Sequence, residues 1–98
     1  MSYKLVVEDA AVEDAAEIHQ WYEQRKPGLG MQFLTALDDC YTFIRSNPRG
    51  RQIRKGIYRY AQVEGFRYYR VVYAVDGETI TVYQVRHTSR RPSRKFGP

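Results

Sequence analysis

The sequence predicts an α+β domain in which a helical hairpin packs on an antiparallel sheet, in the order β-α-α-β-β-β. Three observations carry this. The first half repeats apolar residues at helical spacing and is cut once, by Pro27-Gly28. The second half switches to runs rich in β-branched and aromatic residues. Within it, Asp76-Gly77 separates two such runs, a strong signal for a two-residue hairpin. A meander with one apolar face has to bury that face, and the helical hairpin supplies the complementary surface.

The stretch YKLVV (Tyr3 to Val7) reads as a short strand. Residues 8–26 read as a helix, because Ala11, Ala15, Ile18 and Tyr22 fall on one helical face. Glu8, Asp9, Glu13 and Asp14 gather in its first turns, where the helix dipole favours anions, and Asp9 is the expected N-cap. Pro27-Gly28 stops it. A second helix is predicted from about Gly30 to Ser46: Leu34, Leu37, Tyr41 and Ile44 share a face, widened by Phe33 and Cys40. Asn47-Pro48 ends it and RGRQ continues as a loop. So short a connection makes the two helices antiparallel.

Three strands follow, over 56–63, 67–75 and 78–87, with turns at Glu64-Gly65 and Asp76-Gly77. If Asp76 and Gly77 are the loop residues, Val75 faces Glu78. Tyr83 then faces Arg70, Arg86 faces Arg67 and His87 faces Phe66. Alternation places His87 with Val85, Tyr83 and Thr81, and therefore with Arg70, on one face, while Arg86 and Gln84 point the other way. The tail TSRRPSRKFGP has no core pattern; residues 89–98 are expected to be a basic, partly mobile extension of a single domain over 1–98.

The totals exclude several classes. A 98-residue chain buries roughly 60–65% of its unfolded surface, enough for one core and little more. With 43% hydrophobic and 14% aromatic residues it is globular, not disordered. No apolar run approaches bilayer length and no signal-peptide pattern is present, so a cytoplasmic location is expected. Cys40, the one cysteine, reads as a buried helical thiol, not a nucleophile. His19, His87 and Cys40 lack metal-ligand spacing, and Gly28-Leu29-Gly30 lies between helices, the wrong place for a dinucleotide loop; no metal or cofactor is expected.

Charge is segregated. Residues 1–48 carry four basic against eight acidic side chains, net −4, whereas residues 49–98 carry twelve against three, net +9. Such polarisation suits an acidic or phosphate-rich partner; the alternative is a solvated basic face that serves solubility. Around His87 the cations Arg70, Arg86, Arg90, Arg91, Arg94 and Lys95 crowd one strand end and the tail. Metal-free phosphodiester cleavage needs a base for the attacking hydroxyl, cations for the charge that develops on phosphoryl oxygens, and an acid for the leaving oxygen. Arginines beside a histidine offer those groups, although the same residues can simply cap a sheet.

Three segments add a resemblance. DAAEIHQWYEQRKPGLGMQFLTALDDCYTFIRSNP (Asp14 to Pro48) is very similar to the helical hairpin of ParE-type and plasmid-stabilisation proteins. YRVVYAVDGETITVYQV (Tyr69 to Val85) resembles the hairpin shared by the ParE/RelE toxin superfamily of type II toxin–antitoxin modules, and RHTSR (Arg86 to Arg90) resembles its histidine- and arginine-bearing strand end. The resemblance covers most of the chain. It implies a toxin that arrests growth when its antitoxin is degraded, and an acidic antitoxin whose disordered segment wraps the basic surface; Arg86, Arg90, Arg91, Arg94 and Lys95 are the expected partner-binding residues.

The superfamily divides by target. The ParE-like branch inhibits DNA gyrase without catalytic groups, and the hairpin here looks more like that branch. The RelE-like branch cuts ribosome-bound mRNA without metal. By that likeness Arg70, His87 and Arg90 would be catalytic, although Phe96 stands where a tyrosine is common, and between Ile57 and Val63 Arg59 is the one cation where that branch often has lysines. A third possibility is a non-toxic basic module that binds nucleic acid or protein.

Overall fold

The computed structural model describes residues 3–88. Strand β1 (Lys4–Val7) leads into helices α1 (Asp9–Arg25) and α2 (Leu29–Ser46), and then come β2 (Ile53–Lys55), β3 (Tyr58–Gln62), β4 (Tyr69–Asp76) and β5 (Thr79–His87). The strands form one sheet in the order β1-β5-β4-β3-β2. Three features depart from expectation. The sheet is mixed, because β1 runs parallel to β5, with Leu5 opposite Ile80. A parallel partner requires a long crossover, and the helical hairpin is that crossover. A further strand, β2, lies on the far edge. It has three residues, all exposed, so it leaves no period in the sequence. The N-cap of α1 is Glu8, not Asp9, and Glu8 makes no side-chain capping bond; Asp9 sits inside the first turn, where its charge still complements the dipole.

The helix stripes are as the sequence spaces them. Ala11 and Ile18 of α1 meet Phe33, Leu37, Cys40 and Ile44 of α2 over Ala61, Val63, Tyr69, Val71, Tyr73, Ile80, Val82 and Val85 of the sheet. Leu34 and Tyr41 flank this stripe. Two contacts tie the helical layer to the sheet: the Tyr73 hydroxyl donates, in a buried bond, to the carbonyl of Pro48 just past α2 at 3.0 Å, and the Val85 amide donates to Asp14 Oδ2 of α1 at 3.0 Å, partly buried. The second lies beyond the end of β1, where β5 has lost its ladder partner.

The turn between the helices follows from its residues. Lys26 is extended (φ −157°, ψ 121°), as the residue before a proline prefers. Gly28 then takes φ +90°, a conformation open to glycine. As the N-cap of α2 it has no side chain to cap with, and Glu23 fills the role. The Gly30 amide donates to Glu23 Oε1 at 2.8 Å, and the Gly28 and Met31 amides donate to the same carboxylate. These bonds, that from Gly28 foremost, hold the Glu23 carboxyl below its ordinary value. A lowered folded-state value means that the stabilisation is complete above the unfolded value near 4.5 and is lost as pH falls through the folded one. Glu23→Gln is therefore expected to melt a few degrees lower than the parent at pH 7, with the gap closing below about pH 4. Thermal melts across pH 3–7 check this, and a pH-independent gap would contradict it.

The register of the β4–β5 hairpin differs from the expected one. Asp76 pairs with Thr79, so the loop residues are Gly77 and Glu78, with Gly77 supplying a positive φ of 60°. A bulge then intervenes: Tyr73 pairs with Val82 but Val72 with Gln84, which leaves Tyr83 as the extra residue. The extra residue inverts the alternation from there to the strand end. Arg70 consequently pairs with Arg86, and His87 with Tyr69.

Candidate functional site

The bulge sorts the residues that sequence had grouped. His87 lies on the helix-covered face of the sheet. Its ring meets Tyr69 edge-on at 5.1 Å and stacks on Tyr68 at 5.5 Å with an interplanar angle of 7°. Arg70 and Arg86 lie together on the opposite face. The expectation that Arg70 and His87 share a face is thus corrected, as are the pairings of Tyr83 with Arg70, Arg86 with Arg67 and His87 with Phe66. Arg90, Arg91, Arg94 and Lys95, together with the tail at 89–98, lie outside the described residues.

The second face holds a basic cluster. The Arg70 guanidinium lies over the Tyr60 ring, 4.1 Å from its centroid. The Nε atoms of Arg70 and Arg86 are buried and make no hydrogen bond among the described residues. An orphaned donor of this kind costs about 1–3 kcal/mol unless a ligand or solvent meets it. Burial above all, and then the neighbouring guanidiniums of Arg86 and Arg54, push the Arg70 pKa down, while Tyr60 opposes them. An arginine stays charged at neutral pH even so. The cluster is therefore a site whose occupant is favoured by being negative.

Next to it, at the turn end of the β3–β4 hairpin, is a cleft of about 570 Å³. Arg51, Arg54, Arg67 and Arg70 line it, with Tyr60 and Gln62 among the polar groups between them, and among the described residues no carboxylate belongs to its lining. Arg67 is held across Tyr68, 5.0 Å from the ring centroid and 2.9 Å from its hydroxyl. Arg59 donates to the Arg51 carbonyl, which anchors the segment before β2. Of the cleft arginines, sequence reasoning had singled out Arg70 alone. Arg51 and Arg54 sit on a segment with no readable period, and Arg67, expected opposite Arg86 at a strand end, lies instead in the turn before β4.

Other candidates resolve simply. Cys40 is buried, its Sγ donating to the Gln62 carbonyl at 3.6 Å, and burial pushes its thiol up to about 11. Such a thiol is a poor nucleophile. Among the described residues no three His, Cys, Asp or Glu side chains are placed to hold a metal ion, and no helix is long and apolar enough to cross a membrane.

Comparisons with known proteins bear on the family and the fold. The family model described as "ParE toxin of type II toxin-antitoxin system, parDE" matches residues 5–92. A solved chain described as "Chromosomal ParDE TA system from P. aeruginosa" superposes with a TM-score of 0.78 at 14% sequence identity, covering 89% of this chain and 97% of that one. At that identity the likeness speaks to the fold. No curated protein matches the sequence.

Proposed function

The chain belongs to the family of ParE toxins of type II toxin–antitoxin systems, and from that premise we propose that it arrests growth by inhibiting DNA gyrase. Family membership implies a cognate antitoxin. In the proposed reading that antitoxin is acidic, acts with the toxin in the cytoplasm, and covers the basic surface that includes Arg86 and the tail cations Arg90, Arg91, Arg94 and Lys95.

The observation that carries this reading over RNA cleavage is the hairpin register. Metal-free cleavage needs proton-transfer groups and phosphate-stabilising cations on the same side of the substrate. The bulge at Tyr83 puts His87 on one face of the sheet and Arg70 on the other. Gyrase inhibition asks for a docking surface and needs no such pairing. The competing reading, ribosome-dependent mRNA cleavage by Arg70, His87 and Arg90, makes opposite predictions.

Induction of the protein is expected to change plasmid supercoiling before translation falls, and co-expression of its antitoxin to restore growth. His87→Ala is expected to stay toxic. Early transcript cleavage, with toxicity lost in Arg70→Ala, His87→Ala and Arg90→Ala alike, would establish the nuclease instead. Normal growth under strong, verified expression would favour the non-toxic module.

A further inference from the structure

We propose that the cleft formed by Arg51, Arg54, Arg67 and Arg70 binds the phosphodiester backbone of a single-stranded nucleic acid. The inference stands apart from the gyrase reading, since it concerns the purified protein alone. Four arginines line one cavity, Arg51 with its guanidinium over the Phe43 ring, and among the described residues no carboxylate joins them. Its volume of about 570 Å³ falls within the range of small-ligand clefts, about 300–1,000 Å³. Arginines gathered with no carboxylate among the described lining residues repel one another, and the neighbours that depress Arg70 include Arg54, which also lines the cleft. An anion with several acceptor oxygens relieves that repulsion and gives the guanidinium forks their preferred partner.

The aromatic groups favour nucleic acid over an acidic peptide. Arg70 is held over Tyr60 and Arg67 across Tyr68, which in turn stacks on His87. Tyr68 is half exposed, next in sequence to the lining residue Arg67. Planar guanidinium–ring stacks beside a cationic groove are what successive bases and phosphates of a single strand use. A glutamate-rich segment needs the cations but gains nothing from the planes. The pocket is local and concave at a sheet end, which suits an unpaired strand that can bend into it better than a rigid duplex.

The test uses the full-length protein and fluorescent twelve-nucleotide probes: single-stranded DNA, single-stranded RNA and a blunt DNA duplex, with a poly-glutamate peptide of matched charge as competitor. Arg54 and Arg67 are exposed, so Arg54→Ala/Arg67→Ala is expected to keep the parental melting temperature. Binding of one or both single-stranded probes is expected to weaken by about tenfold or more in about 0.1 M salt. The slope of log K against log salt should become shallower by about 1.4, for two phosphate contacts at about 0.7 each. The DNA and RNA arms then tell which strand is preferred. Three outcomes would overturn the proposal: parental affinity in the double variant, loss of all binding on neutralising the four tail cations alone, or poly-glutamate binding as tightly as the oligonucleotides. The last would assign the cleft to an acidic protein segment.

Discussion

Phe33→Ala is expected to lower the unfolding free energy by about 3–5 kcal/mol, the usual range for truncating a fully buried phenylalanine. The ring has no exposed surface. It meets Phe66 edge-on at 5.2 Å and Tyr69 at 5.6 Å, and lies tilted against Tyr22 at 5.8 Å. Each such pair adds about 0.5–1.5 kcal/mol to the area term. Tyr22 comes from α1, Phe33 from α2, Phe66 from the turn before β4, and Tyr69 from β4 itself. One ring therefore joins both helices to the strand that carries Arg70. Alanine would leave a cavity that four separate segments would have to close together, which is why the upper part of the range is expected. A domain of this kind has about 5–15 kcal/mol in total, so the loss is a large share. Urea unfolding with an unchanged m-value measures it. Phe33→Leu, which keeps most of the volume, should cost clearly less, and a loss under about 1 kcal/mol in the alanine variant would refute the account.

The same cluster shows what sequence can and cannot reveal. The period of Ala11, Ala15, Ile18 and Tyr22, and that of Leu34, Leu37, Tyr41 and Ile44, place the two helices because a long repeat averages over local exceptions. Pro27-Gly28 and the Asp76-Gly77 region mark both turns because their backbone demands are local. The bulge at Tyr83 is of another kind. Tyr is as acceptable to a regular strand as to a bulged one, so nothing in ITVYQV announces an extra residue. Yet that residue decides which side chains near the strand end are neighbours, and it separates His87 from Arg70. The strand β2 is hidden for a related reason. Three exposed residues have no core to face, and their pairing with β3, Ile53 opposite Arg59, depends on the sheet already being there. The cleft is built from that edge, from the turn before β4 and from β4, so its membership was unreadable while its charge was plain. Segregation of twelve cations into the second half is a fact of composition, and composition survives ignorance of register.

At Gly30 the helical hairpin leaves no room for a side chain. It is buried in the first turns of α2 against α1. A Cβ placed there would lie 2.5 Å from the His19 carbonyl oxygen, 2.6 Å from Glu23 Cγ and 2.8 Å from His19 Cδ2. The glutamate can swing aside, but the carbonyl belongs to the α1 backbone and yields only if the helices separate. Two effects compete in Gly30→Ala. Alanine improves helix propensity by about 1 kcal/mol. Overpacking against backbone costs about 1–3 kcal/mol, occasionally more, and separation would also draw Glu23 away from the Gly28, Gly30 and Met31 amides that it caps. The penalty therefore wins, and a net loss of about 1–2 kcal/mol is expected for alanine. Gly30→Leu, with three more carbons and no further gain in propensity, should lose about 3 kcal/mol or more. The ordering is the sharp part: Gly above Ala above Leu, the reverse of what exposed helix positions give for glycine. Thermal and denaturant unfolding of the three proteins reads it directly. Were alanine to stabilise the protein, the close approach of α1 and α2 at this point would have to be abandoned, and with it the rigid hairpin that spans β1 to β5 and fixes the sheet beneath the arginine cleft.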